Sequence, residues 1–339
     1  MNKLLNKTTF IAGSTKNSGK TTFLNRALGE LRASGALRGK LAYMSIGVDG
    51  EAFDQIFGHK KPRVRAEAGD LVVTVEAALK ATEAGFKVIK KFPFATVLGR
   101  PALVRITSPG LIEIVGPDNN AQLGKILRYV RKVTGVQTVL VDGAINRVTQ
   151  VAAVFDAQFV YTVKVERARM RSAADEIKRI YELSRVGLSS PQGLPSPRSL
   201  SSPRKRGSRG CNRDSRFRGN DTLLIKGALT RAKADKIPSG VKTVVVEDFT
   251  KVFLTYKELV NFQKRHKLLY GTKFDLVLIV ANLFGVGKKE FAPLLENAIP
   301  ARKLVFSVIP TGVAISAKSV IPAKSVIPAK SVIPAKAGI

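Results

Sequence analysis

The sequence predicts an α/β fold, a largely parallel sheet with helices on both of its faces. Two observations carry this prediction. Short apolar runs without polar–apolar alternation recur along the chain, at 8–12, 41–46, 71–75, 137–141 and 276–281, and strands buried on both faces read this way. Between them lie stretches with helical spacing of apolar residues, such as Phe23, Leu24, Ala27, Leu28 and Leu31, and that alternation of types is the pattern of crossover-connected strands.

In chain order, the first strand spans 8–12, a Gly-Ser-Thr-Lys-Asn-Ser-Gly-Lys loop follows, and a helix covers 21–33. A second strand at 41–46 runs into Gly47-Val48-Asp49-Gly50-Glu51. A third strand lies at 71–75. Strands at 102–107 and 111–115, joined by Ser108-Pro109-Gly110, suggest a hairpin at a sheet edge. A helix at 121–132 leads to a strand at 137–141 that ends on Asp142. Strands at 159–163 and 223–226 flank a helix at about 166–183. Further strands lie at 241–246, ending in Glu247-Asp248, at 276–281, and at 303–309.

Composition limits the function classes. With 339 residues and 45% hydrophobic content, a sizeable core can form. No apolar run reaches the roughly 18 residues of a membrane span; the best candidate, 276–286, is short and follows Asp275. Met1-Asn2-Lys3-Leu4-Leu5 runs straight into the glycine-rich loop, so signal cleavage would remove that motif. A cytoplasmic location without a membrane partner is expected. The single cysteine, Cys211, excludes an internal disulfide, and His59 and His266 are too far apart in sequence to suggest a metal cage.

The net charge of +32 raises the question of nucleic acid. Eight Lys/Arg against two Asp fall in 188–221, and four Lys with no acid in 309–339. Elsewhere the cations are spread over predicted helices without a dense stripe, so a basic nucleic-acid-binding module is the weaker reading. Residues 188–222, rich in Pro, Ser, Gly and Arg, read as a disordered basic insert, and 309–339 as a disordered repeat tail. They divide the chain into a nucleotide-binding region at 1–187 and its α/β continuation at 223–308. The tail repeats Ser-Val-Ile-Pro-Ala-Lys three times from Ser319, with Pro in each hexad opposing helix. Both segments resemble in-frame translations of an interspersed palindromic repeat of bacterial genomes, which implies an element inserted into the gene.

Gly19-Lys20-Thr21 fits the end of the Walker A pattern G-x-x-x-x-G-K-[ST]. The first glycine of the pattern would fall at Ser14, whereas Gly13 stands one position earlier. Gly13, Ser14, Thr15, Lys16, Asn17, Ser18, Gly19, Lys20, Thr21 and Thr22 are therefore the candidate nucleotide-binding residues. Backbone amides of such a loop cradle phosphates, and the following helix adds its positive end. Lys20 would reach the β- and γ-phosphates, Thr21 would bind Mg²⁺, and Asn17 would brace the loop or touch the γ-phosphate. Asp142 has the position of a Walker B acid at a strand end, and Asp49 ends the strand after the loop's helix. Lys20, Asp49 and Asp142 are the candidate catalytic residues, and Thr21, Asp49 and Asp142 the metal set; Glu51 is a further candidate for orienting water. Thr272-Lys273-Phe274-Asp275 matches a guanine motif in letters but precedes its strand, and Ala232-Lys233-Ala234-Asp235 lacks the Asn. ATP is expected over GTP.

Several phrases together resemble the P-loop proteins associated with adenosylcobalamin-dependent aminomutases, the lysine 5,6-aminomutase reactivase type. They are Lys16-Asn17-Ser18-Gly19-Lys20-Thr21-Thr22, Ser45-Ile46-Gly47-Val48-Asp49-Gly50-Glu51, Val115-Gly116-Pro117, Val141-Asp142-Gly143-Ala144-Ile145-Asn146-Arg147 and Lys226-Gly227-Ala228-Leu229-Thr230. The resemblance implies an ATPase that helps a partner aminomutase exchange damaged cobalamin. The chain departs from that pattern in having Val48 in place of Arg, and Tyr161-Thr162-Val163-Lys164 in place of a Thr-Gly-Ala turn. A small-molecule kinase or ligase is the alternative enzyme class.

Overall fold

The structure is a computed structural model that describes residues 1–15, 17–33, 40–46, 63–96, 98–143, 157–189, 215–218, 221–295 and 298–309. The chain begins with β1 (Thr8–Gly13), α1 (Lys20–Ala33), β2 (Leu41–Ile46), β3 (Val64–Ala66) and β4 (Leu71–Val75). Next come α2 (Glu76–Lys80), β5 (Gly85–Lys91), β6 (Pro101–Ser108), β7 (Gly110–Ile112), α3 (Asn120–Thr134) and β8 (Thr138–Gly143). They are followed by β9 (Gln158–Glu166), α4 (Met170–Arg185), β10 (Gly187–Leu188), β11 (Ser215–Arg218), β12 (Thr222–Ile225), α5 (Arg231–Ala234) and β13 (Thr243–Val246). The described chain closes with α6 (Tyr256–Arg265), β14 (Lys267–Tyr270), β15 (Asp275–Phe284), α7 (Lys288–Phe291) and β16 (Leu304–Ile309).

The main sheet has nine strands in the order β16-β15-β9-β1-β8-β2-β4-β6-β5. From β16 to β4 every pairing is parallel, and β6 and β5 close one edge antiparallel. The expected α/β class and mostly parallel sheet are therefore present, with an antiparallel edge. Alternate residues of each strand serve opposite faces. Ile11, Tyr43, Leu140 and Val160 pack with Phe23, Leu24, Leu28 and Leu31 of α1. Phe10, Met44, Val139, Val141 and Phe159 pack instead with Leu123, Ile126 and Val130 of α3 and Ile177 and Ile180 of α4. Helices thus cover both faces.

Strand β1 lies between β8 and β9. From β1 the sheet grows toward β8, β2 and β4 on one side and toward β9, β15 and β16 on the other. The strand order reverses at β1, and in open parallel sheets ligands bind beyond the strand carboxyl ends at such a switch point. The loop after β1 sits at that place.

Two expectations are corrected. Residues 102–107 and 111–115 do not form a hairpin: β6 pairs with β4 and β5, while β7 pairs antiparallel with β3. The chain turns away at Gly110, whose absent Cβ would lie 2.4 Å from the Ala84 amide nitrogen. Leu111 O accepts there from Glu83 N at 3.0 Å and Thr82 Oγ1 at 3.1 Å. The place beside β6 is taken by β5, an exposed lysine-bearing strand whose Lys87, Lys90 and Lys91 suit a sheet edge.

Strands β12 and β13 do not extend the main sheet either. They belong to a second sheet, β10-β14-β13-β12-β11, because the ten-residue β15 occupies the place beside β9. Within the expected insert, Ser215–Arg218 pairs antiparallel with β12, and Gly187–Leu188 pairs with β14. The rest of the insert, except 188–189 and 221–222, and the tail beyond 309 lie outside the described residues. Phe159 of the main sheet and Phe249, which follows β13, stack with ring centroids 4.8 Å apart, and one core cluster runs through both sheets.

Among the described residues no helix is long and apolar enough to cross a membrane.

Candidate functional site

The turn from β1 to α1 is shaped by three small residues. Asn17 and Gly19 have positive φ, 60° and 88°, and a side chain on Gly19 would add strain to that backbone. A Cβ on Gly19 would also fall 2.3 Å from Asn282 Nδ2. At Gly13 a Cβ would come 1.9 Å from Ser18 Oγ and 2.8 Å from Thr162 Oγ1. The loop thus folds back on its own start, and Gly13 must be glycine for that closure.

Two neighbouring strands pin the loop. Ser18 Oγ and Thr162 Oγ1 of β9 are 2.9 Å apart, and Ser14 N donates to Thr162 O at 3.0 Å. Asn282 of β15 donates through Nδ2 to Ser18 O at 2.5 Å. Ser18, Thr162 and Asn282 are all buried. Sequence reasoning named Ser18 only. Thr162 belongs to the phrase that departs from the reactivase pattern, and it lies within the regular strand β9.

Helix α1 starts at Lys20, and its first internal bond runs from Phe23 N to Gly19 O at 3.0 Å. The amides of Lys20, Thr21 and Thr22 therefore have no partner within the helix, and the positive end of its dipole faces the loop. Lys20 Nζ folds over the loop to 3.5 Å from Thr15 O.

Thr21 Oγ1 donates to Asp142 Oδ2 at 2.9 Å. Pairing of β1 with β8, Ile11 opposite Asp142, sets this distance. Asp142 is 8% exposed at the carboxyl end of β8. Two residues selected from sequence, 121 positions apart, are thereby joined. No protein-family model, curated protein or solved structure matches this chain. Lys16, Asp49 and Glu51 lie outside the described residues. Thr22 is half-buried on the first turn of α1.

Beside the loop, Tyr161 OH donates to Glu176 Oε1 at 2.6 Å, and Arg179 Nε to Glu176 Oε2 at 2.8 Å. Burial, then the Glu176 charge, raises the Tyr161 phenol well above its ordinary range. Tyr161 is therefore a fixed donor, not an acid or base at neutral pH.

Proposed function

We propose that this chain binds and hydrolyses a nucleoside triphosphate with Mg²⁺, ATP in preference to GTP, at the loop between β1 and α1. The observation that carries the reading is the Thr21–Asp142 hydrogen bond. A hydroxyl at the start of the helix and a carboxylate at the end of the adjacent parallel strand supply two hard oxygen donors at one point. That donor set suits Mg²⁺, which favours oxygen and is held by few protein ligands plus phosphate. Thr21 would hold the ion directly and Asp142 through water. The ion would supply charge neutralisation at the phosphates.

The chain's own groups do the rest. The amides of Lys20 to Thr22, which have no partner within the helix, and the helix dipole stabilise phosphate oxygens. Lys20 swings from the Thr15 carbonyl to the phosphates, exchanging a weak neutral acceptor for charged ones. Anchoring of Ser18 by Thr162 and Asn282 holds that end of the loop in place before ligand arrives, so less ordering entropy remains to be lost. The phrases shared with the aminomutase reactivases support a narrower role, an ATPase assisting an adenosylcobalamin-dependent aminomutase.

Titration with Mg²⁺·ATP and Mg²⁺·GTP tests the site. The wild type binds and Lys20→Ala loses at least about tenfold in affinity, a loss typical of a charge-assisted contact. Equal affinities for the two proteins discard the assignment. Stimulation of ATP hydrolysis by an added aminomutase tests the narrower role.

A further inference from the structure

A cleft of about 980 Å³ opens beside the loop, at the upper end of the size range of small-molecule pockets. Gly13, Ser14 and Thr15 form one end of it. Strand β9 and helix α4 make one wall, and the chain from Phe249 to Lys257, which follows β13 and runs into the first turn of α6, makes the other. On the nucleotide reading Gly13, Ser14 and Thr15 belong to the phosphate loop, so the cleft opens next to the bound phosphates.

Its chemistry can be read from which charges are already paired. Lys164 pairs with Glu166 at 2.6 Å, and Arg179 with Glu176 at 2.8 Å. Arg169, Lys257 and Asp175 also line the cleft and make no ion pair among the described residues. Two cations against one anion favour an anionic ligand. The apolar part of the wall includes buried Ile180 and Phe249. Phe253 also lines it, with 62% of its surface exposed, yet its backbone is fixed by Phe253 N donating to Leu229 O at 2.8 Å. A large aromatic ring held in water by a rigid backbone has no packing role of its own here, and it offers a face to an apolar group.

We propose that the cleft is a second ligand site, for a small organic anion with an aromatic or aliphatic body. Arg169 and Lys257 take the anionic group, and Phe253 covers the apolar body. Its placement next to the phosphates rests on the nucleotide reading; the chemistry of the cleft does not.

Anilinonaphthalene sulfonate, an aromatic body with one sulfonate, is a suitable fluorescent probe for the full-length chain. The wild type binds it saturably. The double variant Arg169→Glu/Lys257→Glu weakens it at least about tenfold, as reversal of two contacting charges should. Ser172→Trp, at an exposed lining position, does the same by filling the mouth, with the circular dichroism of both variants unchanged. Probe affinity that neither variant alters overturns the proposal. Strict competition between Mg²⁺·ATP and the probe also overturns it, because the cleft would then hold the nucleotide's own base. Probe binding that follows this pattern in a chain that binds no nucleotide supports the cleft and refutes the triphosphate reading alone.

Discussion

The side-chain amide of Asn282 donates to the carbonyl of Ser18 at 2.5 Å, across 264 residues of sequence. The contact ties β15 to the far end of the glycine-rich loop, and both groups are shielded from water. Asn282→Ala leaves the Ser18 carbonyl without this donor and opens a void beside Gly19. The expected cost is about 1–3 kcal/mol in urea unfolding. Triphosphate affinity should fall as well, because the loop loses a brace rather than a ligand contact. Unchanged affinity in a destabilised variant would confine Asn282 to a structural role.

Gly13 and Gly29 differ in what a side chain would meet. Gly13→Ala drives a methyl to 1.9 Å from Ser18 Oγ, so Ser18 and the loop must shift. Gly29→Ala meets nothing within 4 Å in the middle of α1. The first should weaken nucleotide binding strongly, and the second should stabilise the fold by about 1 kcal/mol through helix propensity. Thermal unfolding and nucleotide titration of the two variants check both signs.

What the sequence conveyed follows from the range of each signal. β1, α1, β2, β8 and β15 were legible because apolar runs and helical spacing are local. Thr21 and Asp142 were legible because each stands at a fixed place relative to its own strand. Thr162 and Asn282 were not, since a polar residue inside an apolar strand carries no sign of which loop it supports. β5 was missed because its lysines resemble a solvated loop, although an edge strand needs such charges. The false hairpin at 108–110 came from reading a Pro-Gly pair as a tight turn when close backbone approach to Ala84 was the real demand.

Acid should loosen the start of α6. Thr255 and Glu258 form a reciprocal capping box, with Thr255 N donating to Glu258 Oε2 at 2.9 Å. The backbone bond from Thr255, then its side-chain bond, lowers the Glu258 carboxyl below the usual glutamate range. A carboxylate with a depressed folded-state pKa adds stability above its unfolded pKa, and this is lost as pH falls through the folded value. Wild type should therefore lose stability relative to Glu258→Gln as pH drops below the ordinary glutamate range. Thr255→Ala should cost about 1 kcal/mol at neutral pH by removing the cap itself. Urea unfolding across an acid series measures both; parallel pH curves for wild type and Glu258→Gln would reject the linkage.

Asp142→Asn separates the metal from the phosphates. The amide keeps an oxygen that can still accept from the Thr21 hydroxyl, so the β1–β8 arrangement and the loop should survive. Its lost charge matters only where a divalent ion must be neutralised. Without Mg²⁺, the variant should bind the triphosphate at least as well as wild type, because one negative charge facing the phosphates is gone. With Mg²⁺, wild type should gain affinity and hydrolysis while the variant gains little of either. Isothermal titration with and without the ion reads this difference directly. An equal Mg²⁺ response in both proteins would remove Asp142 from the metal shell, although its hydrogen bond to Thr21 would still stand.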